Sequence, residues 1–377
     1  MKIISGGLTA SNRRSAVLTV LALVLCLTVL FSVAYQKGRT GAAEGTGGAE
    51  DAVGGDYIYG LLGDGALSVN GESGDSLGST ELRRNVLVLG KDYDSTRTDA
   101  IICVSIGSEG ISTLQIPRDT YVTEGDYCGR INTLLPRYKT VAEKAGAEDA
   151  VATGIARLME KIEADFGIRL HNYVFLDSAA VAELTDAVGG VTLEVPADID
   201  FVDESRGMSL HLKEGRQTLT GEQAAQFVRY REGYPQADLG RIEAQKLYAA
   251  AMLERLTGLG SASTAARLAE ILSRYVKTDL EAEEIAELAV RLCTAASDKV
   301  VMYTLPGNGV KVNGASYYGA YRELAADIAV KGFGAPSATA LAVPDFYATS
   351  TGGYRDTEGV RLSTVLEHGL AIPVYAD

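Results

Sequence analysis

The sequence predicts an α/β protein: a layered α-β-α sandwich with a mixed central sheet, preceded by one transmembrane helix and a flexible linker. Three observations predict it. Short Val-, Ile- and Leu-rich runs such as NVLVLG at 85–90 are closed by glycine and have the length of buried strands. Longer segments with apolar residues at helical spacing alternate with them, and strands mixed with long helices bury their apolar faces best as helices on both sides of a sheet. Ahead of all this stands an uncharged apolar run of 20 residues, Ala16 to Tyr35.

Residues 1–15 carry Lys2, Arg13 and Arg14 and no acid, a cytoplasmic N-terminus by the positive-inside bias. Residues 16–35, AVLTVLALVLCLTVLFSVAY, span roughly 30 Å as a helix at about 1.5 Å per residue, the thickness of a bilayer core. The run is longer than the apolar centre of a secretory signal, and Lys37 and Arg39 follow it in place of a small-residue cleavage site, so it reads as a retained anchor. The expected location is the cell membrane, single-pass, with the C-terminal bulk outside the cytoplasm. Residues 36–80 form a linker: 13 glycines fall between Gly38 and Gly78, and such a stretch loses too much entropy on ordering to fold.

Residues 81–333 form the globular domain. Strands are expected at 85–90, 100–106, 111–116, 172–176, 191–195 and 300–305, the second and third joined as a hairpin around GSEG. One helix places Val151, Ile155, Leu158, Met159, Ile162 and Phe166 on a single face. Others start near Ser178, Thr220, Leu239, Ser261 and Leu280, and Thr220 with Gln223 forms a capping-box pattern. Residues 334–377 carry neither clear periodicity nor a motif, and are set apart as a C-terminal extension.

Composition limits the function. With 35 Lys plus Arg against 49 Asp plus Glu the net charge is −14, which excludes a broad nucleic-acid-binding surface. Three His and no CxxC spacing leave little material for His- or Cys-based metal sites. The arginines instead fall at element ends. Arg97 and Asp99 follow the first strand in KDYDSTRTD; Arg118 and Asp119 follow the third in PRDT. Arg229 and Arg231 end the capped helix as VRYR, and Arg241 and Gln245 stand one helical turn apart in DLGRIEAQ. Strand ends are where α/β proteins assemble ligand sites, and the forked, always-charged guanidinium suits phosphate. Asp92 and Asp99 could offer the hard oxygens that Mg²⁺ takes. Taken singly, an Arg-x-Asp or Pro-Arg-Asp segment is more often a turn with a local ion pair than a site, and Arg241 with Gln245 could simply cover a solvated helix face.

Read in order, NVLVLGKD, TRTD, IPRDT, RIN, DAVGGV (186–191), LTGEQAAQFVRYR and DLGRIEAQ resemble the LytR-CpsA-Psr family over about residues 85–256. The resemblance implies an extracellular, Mg²⁺-dependent phosphotransferase that moves a glycopolymer, such as teichoic acid or capsular polysaccharide, from a polyprenyl-pyrophosphate carrier to peptidoglycan, releasing polyprenyl phosphate. It implies Asp92 and Asp99 as the metal ligands. It places Arg97, Arg118, Arg130, Arg229, Arg231, Asp238, Arg241 and Gln245 around the pyrophosphate. Asp99, and after it Asp119, is the candidate to take the acceptor proton. Two positions depart from the family pattern: Arg130 stands where Lys is usual before Ile-Asn, and Ala244 where many members have another Arg. Two other functions stay open, a lipid-pyrophosphate-binding or regulatory protein without transfer, and a pyrophosphatase-like hydrolase. A Cys128–Cys293 disulfide is a further hypothesis with no spacing evidence behind it.

Overall fold

The computed structural model describes residues 83–364, apart from 92–96, 178, 235–237, 258–261, 282–283, 285–287, 289–290, 292–296, 338–339 and 348–352. The expected anchor at 16–35, the linker, Asp92 and Cys293 lie outside the described residues. Among the described residues no helix is long and apolar enough to cross a membrane.

Strands β1 (Arg84–Lys91), β2 (Thr98–Ile106) and β3 (Ile111–Gln115) form an antiparallel meander. Two small hairpin strands follow, β4 (Tyr121–Glu124) and β5 (Tyr127–Arg130), then helices α1 (Leu134–Lys144) and α2 (Ala150–Phe166). Next come β6 (Asn172–Asp177), α3 (Ala180–Ala187), and the paired strands β7 (Val191–Val195), β8 (Ile199–Asp203), β9 (Met208–Leu212) and β10 (Gly215–Leu219). Helices α4 (Gly221–Phe227), α5 (Asp238–Thr257) and α6 (Ala262–Tyr275) precede β11 (Val276–Thr278). The chain closes with β12 (Val300–Thr304), β13 (Gly307–Val312), β14 (Ala315–Ala320), α7 (Arg322–Phe333) and β15 (Val360–Arg361).

The central sheet has seven strands in the order β11-β6-β1-β2-β3-β12-β15. It is mixed, as the sequence predicts: β1 runs parallel to β6 and β3 to β12, while the other neighbours are antiparallel. β1 sits near the middle and is apolar on both faces because both faces are covered. Val86 and Val88 point into one core with α3, α4, α5 and α6; Leu87 and Leu89 point into the other with α1, α2 and α7. All four are at most 2% exposed, and burying each stabilises the fold by about 1.5–3 kcal/mol. Gly90 closes the strand for a spatial reason, since a Cβ there would come within 3.0 Å of the Ala100 Cβ on β2.

The helix expected across 151–166 is α2, with Ile155, Leu158, Ile162 and Phe166 fully buried and Asp149 capping it through Ala152 N at 3.0 Å. Both halves of the Thr220–Gln223 capping box are present. The strand at 191–195 forms but pairs only with β10, outside the central sheet. Helices α1 and α7 and the β13–β14 hairpin were not anticipated. Pro136 in the first turn of α1 masked that helix, although proline is tolerated there. The hairpin turns on Asn313 and Gly314 at φ 51° and 81°, a signal the sequence does carry. The segment after 333, motif-less in sequence, packs on the domain: Val343 is fully buried, Ala342 N donates to Ala164 O at 2.8 Å, and β15 pairs with β12.

Candidate functional site

Because β1, β3, β6 and β12 run the same way, their C-terminal ends and the start of β2 meet at one edge of the sheet. Asp99 stands at that edge near the start of β2, and Arg118 follows the end of β3. Arg118 Nη1 lies 2.8 Å from both oxygens of Asp99. Arg241, in the first turns of α5, brings its Nη1 to 3.6 Å from Asp99 Oδ2. The side chain of Arg241 is only 5% exposed and that of Arg118 15%, against 25% for Asp99. One carboxylate thus holds two nearly buried guanidiniums side by side, where charge interactions are stronger than at an open surface.

The flanking motifs fix this geometry. The PRDT turn is tied down by RIN: Asn132 N donates to Arg118 O at 3.2 Å, and Ile131 N to Thr120 O at 2.9 Å. Helix α5 is tied to VRYR through Gln245 Nε2, which donates to Val228 O at 3.0 Å. Gln245 Oε1 is buried with no hydrogen-bond partner among the described residues, an acceptor left for a donor. Arg229 and Arg231 are half-buried beside that contact, and Arg231 Nε lies 3.4 Å from Glu232 Oε1. The DAVGG turn, with Gly189 and Gly190 at φ 79° and 92°, aims Asp186 so that its Oδ1 accepts from Gly221 N at 2.7 Å, seating α4 at its start.

Among the site residues expected from sequence, Asp99, Arg118 and Arg241 converge directly, and Gln245, one turn along α5 from Arg241, bonds the backbone of Val228, next in the chain to Arg229. Asp119 and Arg130 form a neighbouring pair, Nε to Oδ1 at 2.9 Å, with Arg130 Nη2 also donating to Ser316 O at 2.9 Å. Arg97 is exposed just before β2, and Asp238 opens α5. Ala244, where an additional arginine was noted as missing, is fully buried in the core, so this position gives no charge to the site. Sequence reading missed Lys246, which is fully buried one turn beyond Glu243 and bonds its Oε1 at 2.8 Å. The EAQK segment offered only an i, i+3 pair, which does not reveal burial.

Asp99 is the described carboxylate of the arginine cluster, and among the described residues no group of three His, Cys, Asp or Glu side chains could hold a metal. That donor set fits Mg²⁺ in one respect: the ion keeps several waters and takes one or two carboxylates plus substrate phosphates. A cavity of about 370 Å³ opens beside the end of β1 between Lys91, Leu135, Phe175 and Tyr275, lined by none of the clustered arginines. Cys103 is buried, which pushes its thiol up to about 12, while Cys128 is exposed and free.

A model of the LytR_cpsA_psr family matches residues 67–331. The polyisoprenyl-teichoic acid–peptidoglycan teichoic acid transferase TagU of Oceanobacillus iheyensis is 30% identical over 243 residues, 62% of this chain and 70% of that protein. The cell wall biosynthesis protein LcpA of Corynebacterium glutamicum is 30% identical over 327 residues, 80% of this chain and 61% of that protein. A solved Streptococcus agalactiae protein superposes with a TM-score of 0.56 at 17% identity, covering 72% of this chain and 96% of that one, a likeness of fold.

Proposed function

The chain belongs to the LytR-CpsA-Psr family, and from that premise we propose that it is a membrane-anchored phosphotransferase, moving a glycopolymer from a polyprenyl-pyrophosphate carrier to peptidoglycan outside the cytoplasm. The observation that carries the reading is the Asp99-held pair of buried guanidiniums, Arg118 and Arg241, at the sheet edge. Two relatives named for teichoic acid transfer to peptidoglycan and for cell wall biosynthesis support the substrate class. The apolar run at 16–35 supports the anchor.

In this mechanism Arg118 and Arg241 receive the pyrophosphate, and Arg229 and Arg231 close on it from the end of α4. Phosphoryl transfer asks mainly for positioning and for cations around the developing charge. Buried, pre-oriented guanidiniums supply both without reorganising at the moment of reaction. The acceptor hydroxyl attacks the phosphorus attached to the glycan; the new O–P bond forms as the bridging bond to the polyprenyl phosphate breaks. Asp92 and Asp99 would hold Mg²⁺, which when bound neutralises charge on the phosphate oxygens. We assign the hydroxyl proton to Asp119, the more exposed carboxylate at 36% against 25% for Asp99, and one paired with Arg130 and not with Arg118 or Arg241.

The test is to incubate the full chain in detergent with a polyprenyl-pyrophosphate glycan and soluble peptidoglycan fragments, with Mg²⁺ or with EDTA. Transfer requires a covalent glycan–peptidoglycan product together with polyprenyl phosphate, both lost in EDTA. Polyprenyl phosphate without product is hydrolysis, and retention of lipid without release is capture; either outcome displaces the transferase reading.

A further inference from the structure

The segment beyond the family match, residues 340–347 and 353–364, builds a feature that the phosphate site does not use. Phe346 N donates to Ala320 O at 3.0 Å, laying the Phe346 ring directly on Gly319, where an added Cβ would lie 2.6 Å from the ring. Tyr121 meets Phe346 edge-on at 5.8 Å between ring centres and Tyr317 at 5.0 Å. Arg130 lies 5.3 Å over the Tyr317 ring while its Nε is paired with Asp119, the residue after Arg118. At the far end Arg355 lies 4.4 Å over the ring of Tyr347, which is 39% exposed. Three half-exposed rings, Tyr317, Tyr121 and Phe346, therefore touch in series from Arg130 along β4 and β14, and Tyr347, against Tyr321 and under Arg355, is the next residue in the C-terminal segment.

Isolated aromatic residues on a surface mean little, but Tyr317, Tyr121 and Phe346 touch in series, are pinned by backbone bonds, and lie beside Asp119. Rings in such a row present π faces and edges to polarised C–H bonds, and the guanidiniums present donors to hydroxyl, amide or carboxylate oxygens. That combination suits a chain of pyranose rings, each with an apolar C–H face and a polar rim. Lipid tails would use the rings and leave the guanidiniums idle; a polyphosphate would do the reverse.

We propose that this ledge is the acceptor subsite, holding the glycan strand of peptidoglycan so that a sugar hydroxyl reaches Asp119 and the arginine-held pyrophosphate. The identity of the occupant rests on the transferase reading; the saccharide chemistry rests on the ledge itself. The ledge adjoins Asp119, to which the acceptor's proton is assigned, and that is why it is given to the acceptor strand and not to the transferred polymer.

The experiment uses the full chain in detergent, with peptide-free peptidoglycan glycan strands as one probe and inorganic pyrophosphate as the other, each followed by calorimetry. The variants are Tyr317→Ala, Tyr317→Phe and the exposed pair Tyr347→Ala with Arg355→Ala. Expected is a loss of about tenfold in strand affinity for Tyr317→Ala and for the double variant, the size of one lost aromatic contact. Tyr317→Phe keeps the ring and should bind strands as the wild type does, and pyrophosphate binding should stay within about twofold throughout. Unchanged strand affinity in the double variant overturns the proposal, as does a wild type that binds pyrophosphate but no strand. Impaired binding of the lipid-linked glycan alone, with strands unaffected, also overturns it and assigns the ledge to the donor. Strand binding through the ledge without any product in the transfer assay would instead remove the transferase reading and leave the ledge standing.

Discussion

Replacing Asp99 by alanine probes the site most sharply, because it strips the shared anion from two guanidiniums that are 15% and 5% exposed. At an effective dielectric near 20, a unit-charge pair about 4 Å apart attracts by roughly 4 kcal/mol before desolvation is counted. Arg118 makes its contact at 2.8 Å and Arg241 at 3.6 Å, so each loses the contact that the shared carboxylate supplies. Breaking a fully buried pair costs about 3–5 kcal/mol, and the partial exposure of Asp99 lowers the expected loss to roughly 2–3 kcal/mol. For a domain of this size that is a fall in Tm of roughly 4–12 °C. The sign of the ligand response is more telling than the fall. Inorganic pyrophosphate, added with EDTA present, supplies an anion in place of the lost carboxylate, so it should raise the Tm of Asp99→Ala by more than it raises that of the wild type. Scanning calorimetry on both proteins reads this directly. An Asp99→Ala variant with wild-type Tm and no larger response to pyrophosphate would refute the idea that Asp99 holds these arginines for an anion.

Three other outcomes are expected. Arg231→Ala should keep its Tm within about 1 °C, as exposed ion pairs contribute little, while losing transfer by at least roughly 100-fold; a folded variant turning over at the wild-type rate contradicts the clamp. Gly221→Ala puts a Cβ 2.2 Å from Ala182 O and 2.6 Å from Asp186 Oδ2, so denaturant melts should show a loss of about 1–3 kcal/mol, and a neutral result would mean α4 is not seated on the DAVGG turn. His171 accepts from Asn85 N at Nδ1, 3.0 Å, and burial holds its pKa below the ordinary 6.5. The unfolded chain then binds the proton more readily, so stability is present above about pH 6.5 and falls as the pH drops through that value; His171→Gln should flatten that slope, and an identical slope in urea midpoints would remove His171 as its source.

How much of this could be read from the chain depended on where the energy of each element comes from. β1 and α2 were legible because burial dictates their patterns residue by residue: a two-sided apolar run for one, a 3.6-residue stripe for the other. The capping box at Thr220 was legible because its bonds are local. Strands β4, β5, β8, β9, β11 and β15 have two to five residues each, too few for a period to emerge, and their partners are set by distant chain. At the site, the ordering of motifs marked the arginines, yet it could not tell that Asp99 binds Arg118 and Arg241 whereas Asp119 binds Arg130. Those pairings follow from strand direction and from the docking of α5, which spacing along the chain does not encode. The aromatic ledge was invisible for the same reason: Tyr121, Tyr317 and Phe346 come from three separate parts of the sequence.

The net charge of −14 describes the surface, while the site concentrates arginines against it. The measurement that bears most directly on the account is product analysis after the full chain meets a polyprenyl-pyrophosphate glycan and peptidoglycan fragments. The account predicts a glycan–peptidoglycan phosphodiester formed in step with polyprenyl phosphate, abolished in Arg118→Ala. Polyprenyl phosphate released without that phosphodiester, or phosphodiester formed undiminished by Arg118→Ala, would contradict it.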